Sequence, residues 1–269
     1  LGHFPPLVLM GMRFVLAAFL LVWFVPLPRG HFWTLCWISF IAATLQYGLT
    51  FSGLALMAAT PAVLLVQSEV IFGVIIAAIL LGERPSRRQI LGIVVASCGV
   101  FVILGAPALE GQWLGIGLVL SGALVWAFGQ VLIRRLDGAL GGFQLTAWIG
   151  VMAGPQMLLV SCLIDGNPLP AIQAAPIEGW LTVIYLGVVM TAIGYSAWYY
   201  VLARYPVPMV MPVLLLLPVA AIFGAVTVLG EVPDPMVLAG GMVVIFGVGV
   251  VVVEPAYLLA WWRKKNGQT

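Results

Sequence analysis

Charge is what this sequence has least of. Of its 269 residues only 7% are Asp, Glu, Lys or Arg, while 63% are apolar, and the mean hydropathy is +1.18. That leaves too little polar surface to clothe a water-soluble globule of this length. Histidine occurs twice, as His3 and His31, and cysteine three times, as Cys36, Cys98 and Cys162. An odd number of cysteines without metal-ligand spacing predicts buried thiols rather than a disulfide framework. Without a His, Cys and carboxylate cluster there is no set for metal-dependent or nucleophilic catalysis, so no cofactor and no enzyme activity are expected. A net charge of +2 is too small to suggest a nucleic-acid partner. Alternating segments of about ten residues, the mark of a membrane barrel, are missing too.

Present instead are apolar runs near the roughly 20 residues that cross a bilayer as helix. They fall at 5–25, 32–56, 61–82, 87–105, 112–133, 142–164, 178–202, 207–230 and 236–254. The expected class is an all-α polytopic membrane protein.

The chain is also a duplication. A constant shift of 148 superposes Leu81-Gly82-Glu83-Arg84-Pro85 on Leu229-Gly230-Glu231-Val232-Pro233, and without a gap pairs Tyr47 with Tyr195, Leu54 with Leu202, Gly92 with Gly240 and Gly99 with Gly247. Charge is what the copies do not share. Arg84, Arg87 and Arg88 follow the first motif, whereas Asp234 follows the second. If basic loops stay in the cytoplasm, the copies are inverted. Taking the loop after Gly82 as cytoplasmic puts Arg29, Arg84, Arg87, Arg88, Arg134, Arg135, Arg204, Arg263, Lys264 and Lys265 inside, with a cytoplasmic C-terminus. The outer loops then carry Glu110, Asp165, Glu178, Glu231 and Asp234.

Nine spans do not halve. The helix at 112–133 opens the second copy, and its counterpart would precede Leu1, so a first span is expected upstream, giving two inverted repeats of five helices and ten helices in all. The copies are assigned to 1–105 and 106–254, with a basic tail at 255–269.

Pro5-Pro6 followed by Arg13-Phe14, the paired Leu-Gly-Glu motifs, and the stretch from Gly194 to Tyr205 resemble the drug/metabolite transporter superfamily, EamA type, and among its members the bacterial exporters of amino acids, including aromatic ones. The resemblance covers the whole chain. It implies a secondary carrier of the bacterial inner membrane working by alternating access, with a small-molecule substrate between the bundles. The family's Glu-Pro step in the fourth helix is split here, with Glu69 before Val70 in one copy and Leu217 before Pro218 in the other.

Within the apolar depth only Arg13 and Glu69 are charged, and burying either alone costs at least about 2.5–3.5 kcal/mol on insertion scales. Their depths match, so an intramembrane ion pair is expected. The open alternatives are that Glu69 titrates as a coupling site and that Arg13 receives a substrate carboxylate. Uncharged groups offer a substrate wall: Gln46, Tyr47 and Thr50 on one helix, Gln67 on the next, Trp126 and Gln130 on another, and Tyr195, Trp198 and Tyr199, which form a stripe with Thr191 at helical spacing. Each could equally bridge neighbouring helices. Symmetry favours the wall for Tyr47 and Tyr195, which should face each other across one cavity.

Trp23, Trp33, Trp37, Trp113, Trp180, Trp261 and Trp262 sit near span ends as interfacial anchors. Pro218 frees the Leu214 carbonyl and predicts a hinge, with Pro155 and Pro212 as further breaks. Gly150 with Gly154, and Gly92 with Ala96, predict close helix packing. The reading is an exporter of amino acids, aromatic or other neutral ones, or of related metabolites, acting as a monomer in the lipid bilayer. A drug or cation carrier of the same superfamily is the alternative, and an intramembrane enzyme a distant one.

Overall fold

The structure, a computed structural model, describes residues 4–57, 62, 65–104, 112–164, 166–220, 223, 227 and 235–252. Glu110, Asp165, Glu231, Asp234, Trp261, Trp262, Arg263, Lys264, Lys265 and His3 lie outside the described residues, as do the second Leu-Gly-Glu motif and the tail at 255–269.

Every apolar run contains a helix. These are α1 (Pro6–Phe24), α2 (Phe32–Leu54), α3 (Ser68–Leu80), α4 (Arg87–Leu104), α5 (Trp113–Arg134), α6 (Gly142–Ile164), the short α7 (Leu169–Ala174), α8 (Ile177–Leu202), α9 (Val207–Ala220) and α10 (Pro235–Val252). Among the described residues α1, α2, α5, α6 and α8 are each long and apolar enough to cross a bilayer, and the chain is a polytopic helical membrane protein. Prolines punctuate the starts: Pro6 opens α1, and α8 and α9 follow Pro176 and Pro206. A proline there forfeits no helical hydrogen bond and presets φ.

The chain folds into two compact units, and neither is a sequence half. One contains residues 1–57 and 112–205, the other 58–111 and 206–269. The first unit gathers α1, α2 and α5 to α8. Its helices approach through small residues. A Cβ added at Gly150 would lie 2.8 Å from the Phe14 carbonyl oxygen, and one at Gly11 3.3 Å from that of Gly154, so α1 and α6 run antiparallel with their backbones almost touching. Gly53 and Gly115 do the same for α2 and α5. Lipid tails are as apolar as the side chains, so contact of this kind, rather than water exclusion, drives the association.

The second unit contains α3, α4, α9 and α10, and here the duplication is plain. Adding 148 to the limits of α4 reproduces those of α10 (87 + 148 = 235; 104 + 148 = 252). The two helices pack on each other. A Cβ at Gly92 would sit 2.7 Å from the Gly247 carbonyl oxygen, and one at Gly99 2.8 Å from that of Gly240. The register ascends on one helix while it descends on the other, so equivalent helices of the two copies are antiparallel. Each glycine faces the equivalent of the other, as a twofold requires.

The first Leu-Gly-Glu motif is a turn and a clamp. Gly82 takes φ +71°, a left-handed conformation that releases the chain from α3. Glu83 then turns to the second copy, where its carboxylate accepts the Val207 N–H at 2.7 Å. That places a negative charge at the N-terminus of α9, where the helix dipole favours it.

One expectation needs correction here. Cys98 and Cys162 are exposed and Cys36 is half-buried, because a small, weakly polar sulfur suits a lipid-facing helix surface as well as a core. The stretch before Pro218 tightens into a 3-10 helix over Met211–Leu216, with Pro212 inside it and Pro218 just beyond, each lacking an amide donor.

Candidate functional site

Two π-helical stretches, which the sequence pattern did not reveal, position the polar cluster of the first unit. Phe40–Leu45 interrupts α2, and Leu186–Tyr195 interrupts α8. Shifted by 148, the first becomes 188–193 and falls inside the second. One wide turn thus recurs in both copies, directly before Tyr47 and up to Tyr195. Such turns rotate the following side chains off the α-helical register and recur at functional sites. In α8 the Thr191 hydroxyl donates to the Leu186 carbonyl at 2.8 Å, five residues back, and supports the widened loop.

The two tyrosines meet. Their hydroxyls are 3.2 Å apart, so they touch rather than face each other across open volume. Arg13 completes the group. Its Nη2 donates to the Tyr47 hydroxyl, and its guanidinium carbon lies 5.0 Å from the ring centres of Phe14 and Tyr47 and 5.9 Å from that of Tyr195. Phe51 stacks on Tyr47, and Tyr199 packs against Tyr195. A guanidinium in this setting gains cation–π attraction, which strengthens as water is withdrawn. Arg13 is buried, and its Nε has no hydrogen-bond partner among the described residues.

A second cluster adjoins on α5 and α8. The Trp198 indole N–H donates to Gln130 Oε1 at 2.8 Å, and the Trp126 and Trp198 rings lie 6.1 Å apart. Gln130 is fully buried, yet its Nε2 has no partner among the described residues. On α2, Gln46 Nε2 donates to Thr50 Oγ1 at 3.1 Å, while Gln46 Oε1 is buried and unmatched. Thr50 packs directly against Gly122 of α5. The first unit thus brings together Arg13, Gln46, Tyr47, Thr50, Trp126, Gln130, Tyr195, Trp198 and Tyr199, and leaves a buried acceptor and two buried donors unpaired. Each such group costs about 1–3 kcal/mol or more.

Gln67 and Glu69 belong to the second unit. Neither stands in mid-helix as expected. Gln67 is a buried turn residue, and Glu69 lies in the first turn of α3. The break has a local cause: the Ser68 hydroxyl donates to the Leu65 carbonyl at 2.6 Å, offering the backbone an alternative to the helical ladder. Pro218, on α9 in the same unit, is buried. Trp148, a residue without an evident role in the sequence, shares the Pro26 carbonyl with Gln144, each donating at 3.0 Å. Trp23, Trp33, Trp37 and Trp113 are well exposed.

Comparison with known proteins agrees with this architecture. The EamA-like transporter family matches residues 1–105 and again 113–253. A probable amino-acid metabolite efflux pump of Salmonella typhimurium is 31% identical over 92% of this chain and 85% of its own length. Its Escherichia coli namesake is 28% identical over the same shares. A probable terminal-alkyne amino-acid exporter of Streptantibioticus cattleyicolor is 32% identical over 69% of this chain and 61% of its own. A crystal structure at 21% identity shares the fold, with a TM-score of 0.78 over 93% of this chain and 89% of that one.

Proposed function

Because the chain belongs to the EamA-like transporter family, we propose that it exports amino acids or closely related small zwitterions across the bacterial inner membrane by alternating access, as a monomer with a cytoplasmic C-terminus. The observation that carries the reading is Arg13, a buried guanidinium with an unpartnered Nε, held within its unit by a tyrosine and three aromatic rings rather than by a carboxylate. A lone buried cation asks for an anion. The names of the three relatives supply the matching class, since an amino acid brings a carboxylate.

In this reading Arg13 and Gln130 Nε2 receive the carboxylate and Gln46 Oε1 accepts the ammonium. Tyr47 and Tyr195 close the site from both repeats, and Trp126 and Trp198 pack on the side chain, which favours aromatic and large neutral cargo. Thr50 and Tyr199 brace Gln46 and Tyr195. The Pro212–Pro218 stretch is the hinge that lets α9 move.

The test is counterflow in proteoliposomes with one labelled neutral amino acid, competed by the parent amino acid, its carboxamide and its decarboxylated amine. The parent competes; both carboxyl-lacking analogues fail against the wild type, and Arg13→Gln narrows that difference at least tenfold. Equal competition by all three would overturn the reading. A cation carrier is the second reading, favoured by Glu69, which is buried in the first turn of α3. In that case the amine and lipophilic cations compete best, and Glu69→Gln abolishes transport.

A further inference from the structure

An open groove in the second unit runs along α3 and α4. Ile71, Val74, Ile75, Ile90, Ile93, Val94 and Phe101 line it together with Pro85, Ser97 and Cys98, and it encloses about 680 Å³. Its walls are almost wholly apolar. From Ile90 to Phe101 it follows twelve residues of helix, a rise of about 16 Å at 1.5 Å per residue, close to half of a hydrocarbon core about 30 Å thick. The groove therefore has the length of one leaflet.

Its mouth is basic. Pro85 and Ile90 bracket the end at which Arg84, Arg87 and Arg88 stand, the first two exposed and the third half-buried. The loop is held in place: Ser86 N–H donates to Gln89 Oε1 at 2.8 Å and Gln89 N–H to Ser86 Oγ at 3.2 Å, a reciprocal cap on α4. The loop's one carboxylate, Glu83, is engaged by the Val207 amide. Among the described residues no ion pair is formed by Arg84, Arg87 or Arg88, so three cations stand at the end of an apolar channel one leaflet deep.

We propose that this groove is a binding site for one anionic phospholipid, with an acyl chain along Ile90 to Phe101 and the phosphate on Arg84, Arg87 and Arg88. Arginine suits the task, because its fork pairs with phosphate oxygens in two-point contacts. Net negative headgroups are drawn to basic residues near the membrane surface, an attraction that a zwitterionic headgroup forfeits. The site rests on the groove and its charges and not on the identity of the cargo.

The test is native mass spectrometry of the purified full chain with phosphatidylglycerol or phosphatidylcholine of matched chains. The expected result is at least fivefold greater retention of phosphatidylglycerol, reduced to parity in Arg84→Gln/Arg87→Gln/Arg88→Gln, kept in the corresponding lysine triple variant, and lost in Val94→Trp, which fills the groove. Cys98 gives a readout in the unmodified protein: phosphatidylglycerol should slow maleimide alkylation at Cys98, measured at the peptide level, at least threefold more than phosphatidylcholine does. Equal retention of the two lipids, a preference that survives both the glutamine triple variant and Val94→Trp, or unchanged Cys98 alkylation would overturn the proposal. So would a disulfide between Cys98 residues of two copies in membranes, which would assign the groove to a second copy.

Discussion

Tyr47 and Tyr195, 148 residues apart and equivalent in the two copies, touch through their hydroxyls at 3.2 Å, and Arg13 donates to the first of them. The contact lies where the twofold relating α2 to α8 must pass, so each copy supplies one of the two hydroxyls.

Removing one hydroxyl at a time separates its roles. Tyr47→Phe strips Arg13 of its hydrogen bond and should destabilise the protein by about 1.5–3 kcal/mol, the usual range for a bond to a charged group, whereas Tyr195→Phe should cost about 0.5–1.5. Transport should fall at least tenfold in Tyr47→Phe. Thermal unfolding and flux on the two single variants and the double variant check this, and a coupling of at least about 0.5 kcal/mol is expected for groups in contact.

The Trp198 and Gln130 pair makes an asymmetric prediction. Trp198→Phe leaves the buried Gln130 amide with no partner for either end, costing about 1–3 kcal/mol, while Trp198→Phe/Gln130→Met removes both polar groups and should recover much of the loss. Denaturation midpoints of the three proteins decide it. A double variant no more stable than Trp198→Phe would exclude the pairing.

Glycine contacts predict which helices tolerate a methyl group. Gly99→Ala and Gly247→Ala force a Cβ to within 2.8 Å of carbonyl oxygens or neighbouring atoms and should lower stability by about 1–3 kcal/mol, the usual cost of overpacking. Gly117→Ala and Gly249→Ala meet nothing within 4 Å and should be neutral or stabilising. Fluorescence-detected size exclusion after graded heating ranks the four.

Glu83 should be more than a surface charge. Its carboxylate holds the first turn of α9, so Glu83→Ala should cost about 0.5–2 kcal/mol, as loss of a helix cap does. Glu83→Gln, which keeps an acceptor, should recover part of that. The effect should appear in hydrogen exchange as faster exchange at Val207 to Val210, with α1 and α6 unchanged.

Much of the architecture was legible in the chain because a bilayer imposes length, sidedness and internal hydrogen bonding on every span. The apolar helices, the duplication and most of the polar cluster follow from runs, spacing and one constant offset. The glycine pairs at 92 and 99 were visible as equivalents, but not as partners, because a shift relates copies without saying which faces meet. The π turns left no trace in a pattern of apolar residues, since inserting one residue into a helical turn changes geometry and not composition. Gln67 and Glu69 read as mid-helix because a serine bond to a carbonyl can end a helix inside an unbroken apolar run.

Membrane residence and duplication were therefore legible in the amino-acid sequence, since they depend on transfer of side chains to lipid and on one constant offset, both read along the chain. Only the tertiary structure decided that each compact unit draws on both copies, that Tyr47 meets Tyr195, that Arg13 lies among rings, and which amide atoms of Gln46 and Gln130 lack partners. Those outcomes depend on how helix faces rotate and how closely backbones approach, and that is set by packing between segments far apart in the chain.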